Sequence, residues 1–231
     1  MNKRITFLVL LVNSVVPLNA QLACDGKLNK EHWYYRELQK GEFRENMTLI
    51  SAQPNSIFPD TLNMQFSSPD ELEGLDEHEI MNKLILKEYA CFLEMIDEQP
   101  LHLDSIESIR LIKNHSVYRV KYQDNRCYLS FKEFDGLEMT EHCKEILPID
   151  FEYLKKRIHQ VNFFTTPAFP SPDFETYGLV MHGSYILVEA NINGKYHLVY
   201  MNNLFTYQPD FNRINLWFMG NARNYTTSNS R

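Results

Sequence analysis

The chain has 231 residues, 44% hydrophobic and 13% aromatic, which is enough for a buried core and too much for a chain disordered throughout. Its formal net charge is −7, and it lacks the basic stripe that would release counterions from a phosphate backbone, so no nucleic acid partner is expected. The one basic cluster, Lys155-Lys156-Arg157, falls on a predicted helix and reads as its solvated face.

Residues 1–20 have the make-up of a signal peptide. Lys3 and Arg4 form a positive start, Ile5–Val16 an apolar stretch, and Ala20 a small residue at the cleavage position, after Pro17. Removing them takes away two positive charges and no negative ones, moving the net charge from −7 to −9. The apolar stretch is shorter than the ~20 residues needed to span a bilayer, and no later stretch qualifies, so no transmembrane segment is expected. The expected location is therefore outside the cytoplasm, periplasmic or extracellular.

Export gives the four cysteines, Cys24, Cys91, Cys127 and Cys143, an oxidising setting in which an even number favours disulfides. Cys127 with Cys143, the closest in sequence, is the preferred bridge, and Cys24 with Cys91 would follow. The competing use of Cys24 is a lipid anchor. Ala23 precedes it as a lipoprotein signal requires, but Gln21 stands where such signals carry Leu.

Residues 21–75 read as an N-terminal extension rich in helix and loop. Asn29 can cap a helix over Lys30–Lys40 that Gly41 ends, with Trp33, Tyr34 and Leu38 on its buried side. Pro54, Pro59 and Pro69 mark an extended connection. The domain proper is expected over 76–220. Asp76 with Glu79 fits a capping box, and Ile85, Tyr89, Phe92 and Ile96 recur at helical spacing until Pro100 stops the helix.

Three antiparallel strands follow over 106–134. Tyr118, Val120 and Tyr122 share one face, and so do Cys127, Leu129 and Phe131. Pro148 opens a second helix, striped by Phe151, Leu154, Ile158 and Val161. Ser184–Met201 is a hairpin about Asn193-Gly194, the pair that accepts positive φ at both turn positions at least steric cost. Tyr185, Leu187 and Glu189 project to one face and Ile186, Val188 and Ala190 to the other. Apolar residues on both faces place the hairpin centrally, covered on each side. Asp210–Met219 forms a short amphipathic helix, and 221–231 a flexible tail. The fold class is α+β: a mainly antiparallel sheet of about five strands covered by two longer helices.

The succession Lys132-Glu133-Phe134-Asp135-Gly136, the helix ending in Phe163-Phe164, and Gly183–Glu189 leading into Asn193-Gly194-Lys195-Tyr196-His197 resembles an uncharacterised bacterial protein family with no known activity. The likeness covers about residues 85–220. Where that family carries an Arg-Trp-Ser-Pro run, this chain has Met201-Asn202-Asn203-Leu204. The resemblance implies a fold and a bacterial source, in which Asn46-Met47-Thr48, Asn114-His115-Ser116 and Asn224-Tyr225-Thr226 are coincidental sequons.

Enzyme signatures are sparse. Gly183-Ser184 lacks the glycine of a nucleophile elbow. His142-Cys143 is only an adjacency, zinc ligand spacings are missing, and no Gly-rich phosphate loop occurs, so neither a metal nor a cofactor is expected. His182, Glu189 and His197 are the candidates for acid–base work, were the hairpin face an open cleft. The leading expectation is a non-enzymatic binding module for an unknown protein or envelope component. Tyr118, Tyr122, Tyr196 and Tyr200 would supply an aromatic face, although packing beneath the helices accounts for at least half of them. A hydrolase-like enzyme and an exported immunity or inhibitor protein are the alternatives.

Overall fold

The Asn193-Gly194 turn forms as the sequence requires, with φ of 53° and 69°, and joins β5 (Tyr185–Ile192) to β6 (Lys195–Asn202). These strands belong to a six-stranded antiparallel sheet with β1 (Glu107–Lys113), β2 (Ser116–Gln123), β3 (Arg126–Phe134) and β4 (Met139–Ile146), in the order β4-β3-β2-β1-β5-β6. The computed structural model describes residues 27–40, 57–59, 77–170, 185–202 and 209–226. The expected signal peptide, Cys24, Asp76 and His182 lie outside them.

The α+β class holds, with differences in detail. Only β5 of the hairpin is interior; β6 is an edge strand. Part of its outer edge is occupied, because the Tyr200 amide donates to the Ala168 carbonyl at 2.8 Å and His197 Nε2 lies 2.7 Å from the Thr166 carbonyl. Such cover blunts a free edge. The sixth strand, β4, was not expected. Its Thr140-Glu141-His142-Cys143-Lys144-Glu145 core has little apolar alternation, as suits the opposite edge.

Helices cover both faces. On one, α3 (Pro148–Gln160) and α4 (Pro209–Thr226) pack Phe151, Leu154, Ile158, Phe211, Ile214 and Phe218 over Ile109, Val120, Leu129, Val188 and Val199. On the other, α2 (Glu77–Met95), with α1 (Trp33–Lys40) beside it, sets Leu86, Tyr89, Phe92 and Ile96 over Ile112, Val117, Phe134, Leu187 and Leu198. Of the predicted stripe, Tyr89, Phe92 and Ile96, the last just past the helix end, are buried in this layer, while Ile85 is only partly buried at its edge and Leu86 is the buried residue there.

Pro100 is not what ends α2. Asp97 takes the left-handed conformation (φ 57°), its amide donates to the Glu94 carbonyl and the Glu98 amide to the Leu93 carbonyl. This is the hydrogen-bond pattern of a Schellman cap. The reversal sends residues 98–106 back across the sheet as a strap, through a 3₁₀ turn at Leu101–Leu103. Asn191 clamps the strap by donating Nδ2 to the carbonyls of Leu101 and Asp104 at 2.9 and 2.6 Å.

Candidate functional site

The sheet face under α2 is divided. Near the β1–β2 turn Ile112 and Val117 are apolar; in the next row away from it on this face, beneath the strap, Arg110, Arg119 and Glu189 replace apolar residues while staying buried, and Lys132, level with Val117 on β3, is buried as well. Register brings them together: Arg110 pairs with Arg119 across β1–β2 and with Glu189 across β1–β5. Like charges directly opposite each other are unfavourable in a sheet, so an anion must come from elsewhere. It comes from the strap. Glu98 Oε1 lies 2.6 Å from Lys132 Nζ, and Oε2 lies 3.2 Å from Arg110 Nη1 and 3.5 Å from Arg119 Nη1.

The network extends outward. Arg110 Nε donates to Glu189 Oε2 at 2.6 Å, and the Tyr196 hydroxyl donates to Glu189 Oε1 at 2.8 Å. Arg119 Nη2 donates to Asp104 Oδ2 at 2.7 Å. Burial alone would raise the Glu98 carboxyl, yet Lys132, Arg119 and Arg110 outweigh it and bring it down to about 2. Burial beside Glu189 lifts the Tyr196 phenol well above its usual value. Burying charges is costly unless they are paired and hydrogen-bonded, and here most are. The array is built chiefly as structure.

A second feature is concave. Tyr34, Ile85, Glu88, Tyr89, Phe92, Asn114, His115 and Tyr185 line a cleft of about 420 Å³ beside α2 and the β1–β2 turn. Three tyrosines and a phenylalanine give it aromatic walls. Its polar groups tend towards neutrality: burial raises the Glu88 carboxyl, whose Oε1 accepts from the Tyr34 hydroxyl at 3.3 Å, and lowers the His115 imidazole. His115 itself sits at the solvent-exposed rim, its ring 5.5 Å from that of Phe92. Tyr185, 43% exposed, stacks on Tyr200 with centroids 5.9 Å apart. An aromatic cleft with a few hydrogen-bonding tips suits a small uncharged molecule.

The residues singled out from sequence are dispersed. Glu189 is fully buried in the ionic array, whereas His197, paired with Ala190, projects to the opposite face, its ring 5.4 Å from that of Phe163. The two therefore share no cleft. The four tyrosines do not make one face either. Tyr118 stacks on Phe131 at 4.7 Å and Tyr122 on Phe151 at 5.2 Å, beneath α3 and α4. Tyr196 and Tyr200 point to the α2 side. Register explains this, because Val120, Ile109 and Ala190 align across the sheet, so Tyr118 and Tyr122 share their parity and Tyr196 and Tyr200 do not.

Neither expected disulfide is present, since Cys91 and Cys127 are free thiols. Cys127 shares a face with Leu129, while Cys143 lies opposite Ser130, so alternation puts Cys127 and Cys143 on different sides of the sheet. Cys91 is buried in the apolar layer around α2.

Sequence reading missed Glu98, Arg110, Arg119 and Lys132. Their signal was present: three cations on the same parity of three successive strands, and an acid just past a long apolar stripe. Without the strap in place, that pattern is indistinguishable from a solvated sheet face.

Among the described residues, no group of three or more His, Cys, Asp or Glu is placed to hold a metal ion, and no helix is long and apolar enough to cross a membrane. The fold and clefts define a three-layer α+β protein: an antiparallel sheet between two helical layers, with a charged half-face under a strap. No protein-family model matches this chain, and no curated protein matches it.

Proposed function

We propose that the protein is an exported, non-enzymatic binding module that takes a small uncharged molecule, such as an envelope saccharide, in the aromatic cleft. The observation that carries the reading is the cleft itself: aromatic walls from Tyr34, Tyr89, Phe92 and Tyr185 around Glu88, whose carboxyl burial disfavours the charged form. Sugar rings present apolar faces to aromatic planes and hydroxyls to the tips. The volume of about 420 Å³ falls in the range of small-molecule sites.

Export is supported by the composition of residues 1–20, and its direct check is the N-terminus of the secreted protein, which should begin at Gln21. In an oxidising compartment, the two free buried thiols leave Cys24 and Cys143 as the pair able to bridge.

Binding is tested by NMR titration of the purified protein with N-acetylglucosamine, its disaccharide, glucose and maltose. Saturable shifts at Tyr89, Asn114 and Tyr185 with at least one probe, weakened by Tyr185→Ala without loss of fold, are expected. Shifts scattered over the surface, or identical in Tyr185→Ala, would overturn the assignment.

A further inference from the structure

The ionic array leaves a residue of unmet chemistry. Arg119 is 1% exposed, yet among the described residues its Nε has no hydrogen-bond acceptor, and its Nη1 has the 3.5 Å approach of Glu98 and no acceptor within hydrogen-bond geometry. Arg110 Nη2 is likewise buried without an acceptor among the described residues. A buried guanidinium donor with no partner keeps its desolvation cost, so such groups normally meet water or a ligand. Arg119 also lines a pocket of about 460 Å³ at the strap, together with Lys121, Gln123, Gln99 and Asp104. Among the described residues, this pocket shares no lining residue with the aromatic cleft.

We infer that this pocket is a second ligand site, for a small oxyanion, read by the Arg119 guanidinium with the Lys121 ammonium and the Gln123 amide on the same wall. A guanidinium offers paired N–H donors at the spacing of two carboxylate or phosphate oxygens. Asp104 defines how the site works. Its Oδ2 holds Arg119 Nη2 while its Oδ1 accepts the Ile106 amide at 2.9 Å. The strap thus supplies an internal carboxylate that an incoming oxyanion must displace or share the guanidinium with. Glu98 remains beneath, balanced by Lys132 and Arg110.

The test follows the Arg119 side-chain Nε–Hε resonance during titration with sodium phosphate, and separately with sodium acetate, at ionic strength held constant with sodium chloride. A saturable shift with phosphate, acetate or both is expected, and which of them acts identifies the source of the oxyanion. Asp104→Asn, which keeps an acceptor for Ile106 and removes the competing charge, should tighten binding roughly tenfold. Lys121→Gln, in the pocket lining, should weaken it in a protein that still folds. An Arg119 resonance unmoved by both anions, or a titration curve the same in Asp104→Asn as in the unaltered protein, would overturn the inference and leave water as the partner of these donors.

Discussion

Arg110 and Arg119 stand directly opposite each other across β1 and β2, two guanidinium groups side by side in the interior, and Glu98 Oε2 lies between them at 3.2 and 3.5 Å. That carboxylate reaches the sheet only because Asp97 ends α2 in the left-handed conformation and turns the chain back. A local backbone event at a helix terminus therefore decides whether a charged half-sheet can be buried.

Removing that carboxylate should be severe. Glu98→Gln leaves Lys132, Arg110 and Arg119 without their common partner, and breaking one side of a buried ion network costs about 3–5 kcal/mol. Urea denaturation checks this. The double change Glu98→Met with Lys132→Met should cost less than the sum of the singles, because each single change leaves a charge stranded. A cost for Glu98→Gln below ~1 kcal/mol would show that the array contributes nothing.

The same group sets an acid limit. The Glu98 carboxyl lies at about 2 in the folded protein, against an ordinary value of 4.5. A carboxyl depressed by folding contributes its stability in full above the unfolded value, and loses it as pH falls towards the folded one. The loss should therefore run from 4.5 down to about 2. Urea midpoints measured across that range should fall steeply in the native chain and less steeply in Glu98→Gln. Parallel curves for the two proteins would contradict it.

The two free thiols should be inert in the folded state. Burial pushes both Cys91 and Cys127 up to about 12, and they are 1% and 0% exposed. Since the thiolate is the reactive form, iodoacetamide at mildly alkaline pH should label neither until urea is added. On the proposed export, a non-reducing peptide map of the mature protein should join Cys24 to Cys143 and never involve Cys91 or Cys127. Labelling of Cys91 or Cys127 in the native protein would show that the layers open more readily than their burial implies.

Two glycines should respond to alanine with opposite signs. Gly194 has φ of +69° and open space around its Cβ position, so Gly194→Ala suffers only the left-handed backbone penalty, about 1–2 kcal/mol. Gly220 sits exposed in α4, also with open space, so Gly220→Ala should stabilise by roughly 0.5–1 kcal/mol through restricting the unfolded chain. Thermal or urea unfolding of the two variants separates the cases. Equal effects would mean that backbone conformation is not what distinguishes them.

What the sequence determined by itself was local and periodic. Alternation placed β1, β2, β3 and the β5–β6 hairpin, the helical stripe placed α2 and α3, and Asn193-Gly194 specified its turn. These follow from backbone sterics and from side-chain spacing within one element, so no distant residue is needed to infer them. Where alternation was missing, as in β4, the strand was missed. α4 was placed but underestimated, because its last turns, Gly220–Thr226, carry little apolar signal. Tertiary structure decided everything that depended on which faces met. The strand register sent Glu189 and His197 to opposite sides and split the four tyrosines into two layers. The strap gathered three cations that no local pattern singles out into the centre of a buried network. Facing is a property of pairs of elements far apart in the chain, and burial of a charge becomes tolerable only when its partner arrives, so neither is written in any single segment.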